Sequence, residues 1–124
     1  MIVESKSGMG KTLIYILGIL NQIEVVSTNL LCVIISPTRE LAFQIFKEFN
    51  KFGKYFPEIQ WRIVMGGLSL KKQETSILNS KPQIIIGTPG RLMELENQHV
   101  INFNEIKFLV FDECDKILSD LGLM

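Results

Sequence analysis

Two cysteines and one histidine in 124 residues are too few for a disulfide framework or a histidine-cysteine zinc site. No apolar run approaches the ~20 residues that cross a bilayer. The longest, 13–20 and 30–35, stop far short. The first residues lack the charge-then-apolar order of a secretory signal, so the expectation is a soluble intracellular protein without membrane contact. Repeats, linkers and low-complexity stretches are also missing. Neither sign of charge is in excess, with Lys+Arg and Asp+Glu both at 13, which excludes a large basic face.

What is present is globular material. A hydrophobic fraction of 47% and a charged fraction of 21% exclude a disordered tail and a collagen-like repeat. A chain of this length buries roughly two-thirds of its unfolded surface, enough for one core and no second lobe. The charge is unevenly spread. Residues 39–72 hold seven basic and three acidic side chains, a net +4, whereas residues 94–124 hold seven acids and two lysines, a net −5. That pattern suits an anion-binding middle and a cation-binding end, and equally a solvated charged surface.

Short apolar blocks of strand length recur at 1–3, 30–35, 59–65, 83–86 and 106–111. Each precedes a segment of helical character, at 11–23, 39–52, 69–78, 91–96 and 114–121. In the first, Tyr15, Ile16, Ile19, Leu20 and Ile23 share a face; in the second, Leu41, Ile45, Phe49 and Phe52 do. Strands apolar on both faces, alternating with amphipathic helices, imply an α/β class with a doubly wound parallel sheet covered by helices. Pro37, Pro57, Pro82 and Pro89 all fall between the blocks. Ligands of such sheets bind beyond the carboxyl ends of the strands, so the residues following each block carry the functional information.

After the first block stands Ser5-Lys6-Ser7-Gly8-Met9-Gly10-Lys11-Thr12, a phosphate-binding loop running into a helix. Gly8 and Gly10 let successive amides turn inward toward phosphate oxygens, aided by the positive helix end. Lys11 reaches the terminal phosphates and the Thr12 hydroxyl a magnesium ion; Ser5 stands where the general pattern has glycine. After the last block stands Asp112-Glu113-Cys114-Asp115. An acid ending a buried strand can hold magnesium through water, and the next acid can polarise the attacking water. Acids at a helix start are common for the dipole alone, but about 100 residues after a phosphate loop they form the second half of a nucleotide triphosphatase site.

Three further loops are harder to explain by a nucleotide alone: Pro37-Thr38-Arg39-Glu40-Leu41-Ala42, Gly66-Gly67, and Thr88-Pro89-Gly90-Arg91. Thr38 and Thr88 suit helix N-caps, and Arg39, Arg91 and nearby amides suit the phosphates of a polymer crossing the strand ends. Singly, each is also an ordinary cap or turn. Lys71-Lys72 reads as a solvated helix face.

In order and spacing, these motifs resemble the first RecA-like lobe of a DEAD-box RNA helicase. Asp112-Glu113-Cys114-Asp115, with Lys6 to Thr12, Glu40-Leu41-Ala42-Phe43-Gln44-Ile45 and Gly66-Gly67-Leu68-Ser69-Leu70-Lys71-Lys72, is similar to the DECD subgroup of pre-mRNA splicing and nuclear mRNA export. The resemblance covers essentially residues 1–124 and implies a partial helicase ATP-binding domain in a nuclear protein. It implies ATP and magnesium at Ser7, Gly8, Met9, Gly10, Lys11, Thr12 and Asp112, with Thr12 and Asp112 holding the metal. Glu113 and Lys11 would be catalytic, and Asp115 would couple motifs. It also implies RNA backbone along Pro37, Thr38, Arg39, Gly67, Thr88, Pro89, Gly90 and Arg91, and splicing or export factors as partners.

The resemblance further leads one to expect an upstream glutamine motif that reads adenine, a Ser-Ala-Thr motif meeting Asp115, and a second lobe whose arginines stabilise transferred phosphate. None is in this sequence. A supplied arginine is worth on the order of a thousandfold in phosphoryl transfer, so hydrolysis by this chain alone is expected to be very low. A strand between those bearing Ser5 and Asp112 is expected to be missing, leaving backbone groups there unpaired. Two alternatives stand beside the helicase reading: a non-catalytic lobe that binds nucleotide or RNA, and a P-loop NTPase with no nucleic-acid role. Against guanine specificity, Asn50-Lys51-Phe52-Gly53 lacks the acid of the usual reader.

Overall fold

In the computed structural model, the described residues are 2–5, 18–19, 21 and 30–112, with side chains described for 18–19, 21 and 30–111. Five strands alternate with helices: β1 Ile2–Ser5, β2 Cys32–Ile35, α1 Arg39–Phe52, β3 Trp61–Val64, α2 Leu70–Ser80, β4 Ile84–Gly87, α3 Pro89–Asn97 and β5 Phe108–Asp112. Short 3-10 turns at Gly53–Tyr55 and Phe103–Glu105 were not foreshadowed by any periodicity.

All pairings are parallel, in the order β1-β5-β2-β4-β3. The chain steps over β5 to reach β2 and over β4 to reach the edge strand β3, then works back through β4 to β5. Right-handed crossovers put the helices of the outward and return legs on opposite faces of the sheet. The two cores follow this division. Cys32, Ile34, Ile84, Ile86 and Val110 pack with Ala42, Ile45 and Phe49 of α1 and with Ile19, which lies in a helical stretch. Val33, Val64 and Ile85 pack with Ile77 of α2 and with Leu92 and Leu95 of α3. A two-residue alternation thus sends neighbouring isoleucines of β4 to different cores, each contributing roughly 1.5–3 kcal/mol.

The buried stripe of α1 is Ala42, Ile45 and Phe49, rather than one including Leu41 and Phe52, which are only half-buried. Trp61 fastens the far end of this helix to β3. Its indole Nε1 donates to Asn50 Oδ1 at 2.8 Å, and its ring lies 6.0 Å from that of Phe49. The ring also fills the space where a Cβ on Gly53 would project.

The strands bearing Ser5 and Asp112 are hydrogen-bonded neighbours, with Ile2, Val3, Glu4 and Ser5 opposite Leu109, Val110, Phe111 and Asp112. Among the described residues no strand lies between them, and direct pairing of β1 with β5 engages the backbone groups that were expected to be left unpaired. Cys32 is fully buried in β2, and burial pushes its thiol up to about 12, so it stays protonated and unreactive. No helix among the described residues is long and apolar enough to cross a membrane.

Candidate nucleotide and nucleic-acid site

The parallel arrangement brings the carboxyl ends of all five strands to one edge of the sheet. There β5 ends at Asp112, opposite Ser5, which ends β1 and opens the phosphate-loop motif. The two halves of the nucleotide motif thus start from adjacent strand ends. Ser7, Gly8, Met9, Gly10, Lys11, Thr12, Glu113 and Asp115, and the side chain of Asp112, lie outside the described residues.

The loops after β2, β3 and β4 are described in full. Ser36 N donates to Gly87 O at 2.9 Å and Thr88 N to Val64 O at 3.3 Å, so the ladder runs past the strand ends and holds the three loops side by side. Pro37 leads into Thr38, whose Oγ1 accepts from Leu41 N at 3.2 Å and caps α1. Thr88 takes the equivalent N-cap place on α3, yet its side chain makes no cap bond. Here Pro89 at the first helical position contributes a preset φ. The helix therefore starts at Pro89, ahead of the expected Arg91, and Gly90 is an exposed member of its first turn.

The two arginines have separate environments. Arg39, first in α1, is exposed, and its Nη1 makes one long contact of 3.5 Å to Gly66 O. Arg91, third in α3, is only 8% exposed, and its Nη1 donates to Leu68 O at 3.0 Å and to Gln73 Oε1 at 2.8 Å. Its Nε sits 3.4 Å from Glu94 Oε1. Gly67 has a φ of +85°, where a side chain is strained, and an added Cβ would meet the Arg39 guanidinium. Lys71 and Lys72 are exposed, as their spacing suggested.

Two functional candidates escaped the motif reading. Gln73 is buried and its Nε2 donates to Met65 O at 3.2 Å; a clue lay in its helical spacing from Leu70 and Ile77, which puts an amide on the apolar face. Ser36 is fully buried with no hydrogen-bond partner for Oγ among the described residues, and follows Ile35, which pairs with Phe111. Its position beside the strand end bearing Asp112 could not be known before the sheet order.

Fold and motif placement define an α/β lobe of parallel strands whose motif-bearing loops gather at one sheet edge. Comparison with known proteins gives the family: residues 1–123 match the DEAD/DEAH box helicase model, and the chain belongs to that family. It is 42% identical over 120 residues to the human ATP-dependent RNA helicase DDX39A, covering 97% of this chain and 28% of the relative. It is 38% identical over 123 residues to the DEAD-box ATP-dependent RNA helicase 56 of Oryza sativa subsp. japonica, covering 99% and 28%. The crystal structure of the yeast DEAD-box splicing factor Prp28 superposes with a TM-score of 0.78 at 30% identity, covering 99% of this chain and 30% of that one. The fold is RecA-like, and the chain spans under a third of the length of these relatives.

Proposed function

We propose that this chain is the ATP-binding lobe of an ATP-dependent RNA helicase acting in pre-mRNA splicing and mRNA export in the nucleus. The observation that carries the reading is the convergence at one sheet edge of the strand ends bearing Ser5 and Asp112 with the loops of Thr38, Gly67 and Thr88. Ser7, Gly8, Met9 and Gly10 would cradle the phosphates of ATP, with Lys11 against the terminal ones. Thr12 and Asp112 would hold magnesium, which neutralises charge on the phosphates when bound. Glu113 would orient the attacking water, and Asp115 would pass the nucleotide state to neighbouring motifs.

RNA would cross the adjacent loops by its phosphates, without reading bases. Arg39, Gly67 and Gly90 are exposed in those loops and suit this role, with Pro37, Thr38, Thr88 and Pro89 shaping the track. The splicing assignment is supported by the DECD motif and the likeness to a splicing factor; splicing or export proteins and a second helicase lobe are the partners it implies. Hydrolysis by the chain alone is expected to be very low.

Fluorescence anisotropy with a labelled single-stranded oligouridylate, with and without magnesium and ATP, tests the RNA half. Weak binding that falls steeply between roughly 50 and 200 mM salt and ignores base sequence is expected. No binding at low salt, or strong dependence on base identity, would contradict it.

A further inference from the structure

Residues 65–69, between β3 and α2, are held from three directions. Gln73 Nε2 donates to Met65 O at 3.2 Å, Arg39 Nη1 to Gly66 O at 3.5 Å, and Arg91 Nη1 to Leu68 O at 3.0 Å. Arg91 and Gln73 also bond each other at 2.8 Å, and both are buried, 8% and 9% exposed. With these three carbonyls engaged on the protein side and a turn closing at Leu68, the amides of Gly67 and Ser69 donate to no group within the chain among the described residues. Gly67 and Ser69 are both exposed. Unengaged amides beside a residue of positive φ are suited to an anion.

We propose that Gln73 and Arg91 are positioning residues for RNA binding: they fix the glycine loop so that its amides face the phosphate backbone, and Arg91 itself makes no phosphate contact. This rests on the RNA reading above and gives Arg91 a supporting role in place of the direct backbone contact that the resemblance implies. Arg91 serves Leu68 O and Gln73 Oε1 through Nη1 while its Nε lies beside Glu94 Oε1, a spread of nitrogens that a single ammonium does not reproduce, so Arg91→Lys should recover only part of the function.

The test is the salt dependence of oligouridylate affinity in the full chain. Removing a phosphate contact lowers the slope of log Kd against log salt by about one, while misplacing a loop weakens binding without touching the count of contacts held by other cations. Arg91→Met and Gln73→Ala should each weaken binding about threefold to tenfold at an unchanged slope, with the double variant little worse than either. Arg39→Ala should lower the slope by about one. Should Arg91→Met fail to fold, Gln73→Glu keeps an acceptor for Arg91 and loses only the donor to Met65 O; it should remain folded and bind more weakly. In amide correlation spectra the Gly67 resonance should shift on adding RNA in the wild type, and respond less in Gln73→Glu, while the Ile85 resonance stays in place. A slope lowered by about one in Arg91→Met would show a direct contact and overturn the inference. Unchanged affinity in folded Gln73→Glu would also overturn it. A wild-type chain that binds no oligouridylate would overturn the RNA reading itself, and the inference with it.

Discussion

The loops after β2 and β4 begin alike and end differently. Each leaves a strand of the sheet's interior, passes a threonine at a helix N-cap, and carries an arginine in the first helical turn. Arg39 is the first residue of its helix and reaches solvent; Arg91 is the third and turns inward to Leu68 O and Gln73 Oε1. Two residues of helix are about 200° of rotation, which decides the outcome. A basic residue after a strand in this fold is therefore not free for a ligand by virtue of charge alone: helical phase decides whether it reaches solvent or turns inward.

Stability measurements by urea denaturation sharpen the contrast. Arg91→Met strands two acceptors in a buried setting and should cost about 2–4 kcal/mol, whereas Arg39→Ala should change stability by less than about 0.5 kcal/mol. Equal costs would erase the distinction. Next in size is Gly67→Ala, expected to cost about 1–2 kcal/mol because its φ of +85° disfavours a side chain. Adding Arg39→Ala removes the steric part of that cost and should leave the conformational part. A neutral Gly67→Ala would mean that the loop adopts another conformation in solution.

The smallest effect separates the two caps. Thr38→Ala removes the acceptor for Leu41 N and should cost about 1 kcal/mol, while Thr88→Ala removes no cap bond and should cost less than about 0.5 kcal/mol. The reverse order would show that the Thr88 hydroxyl is the stronger cap in solution.

Much of this architecture was legible in the residues. Strands buried on both faces appear as unbroken apolar blocks such as Ile84-Ile85-Ile86, and α1 has the bounds its spacing implies, between the Thr38 cap and Gly53. The start of α3 was less visible, because Pro89-Gly90 reads as a turn until its place in the first turn is seen, where neither residue costs the helix a hydrogen bond. The direct pairing of β1 with β5 is a property of strand order, which local pattern does not encode. At the site, residue types pointed to phosphate chemistry, but the burial of Arg91 and Gln73 depends on three elements meeting. Lys81 and His99 likewise adopt positive φ with no glycine to announce it.

If Ser5 to Thr12 and Asp112 form one nucleotide site on adjacent strand ends, ATP with magnesium must bind the folded chain. Thermal unfolding of the chain with and without magnesium and ATP tests it most directly, since a ligand raises the midpoint only by binding the folded state. The expected result is an upward shift that needs magnesium and disappears in Lys11→Ala. A cooperative transition that ATP and magnesium leave unmoved would contradict the claim.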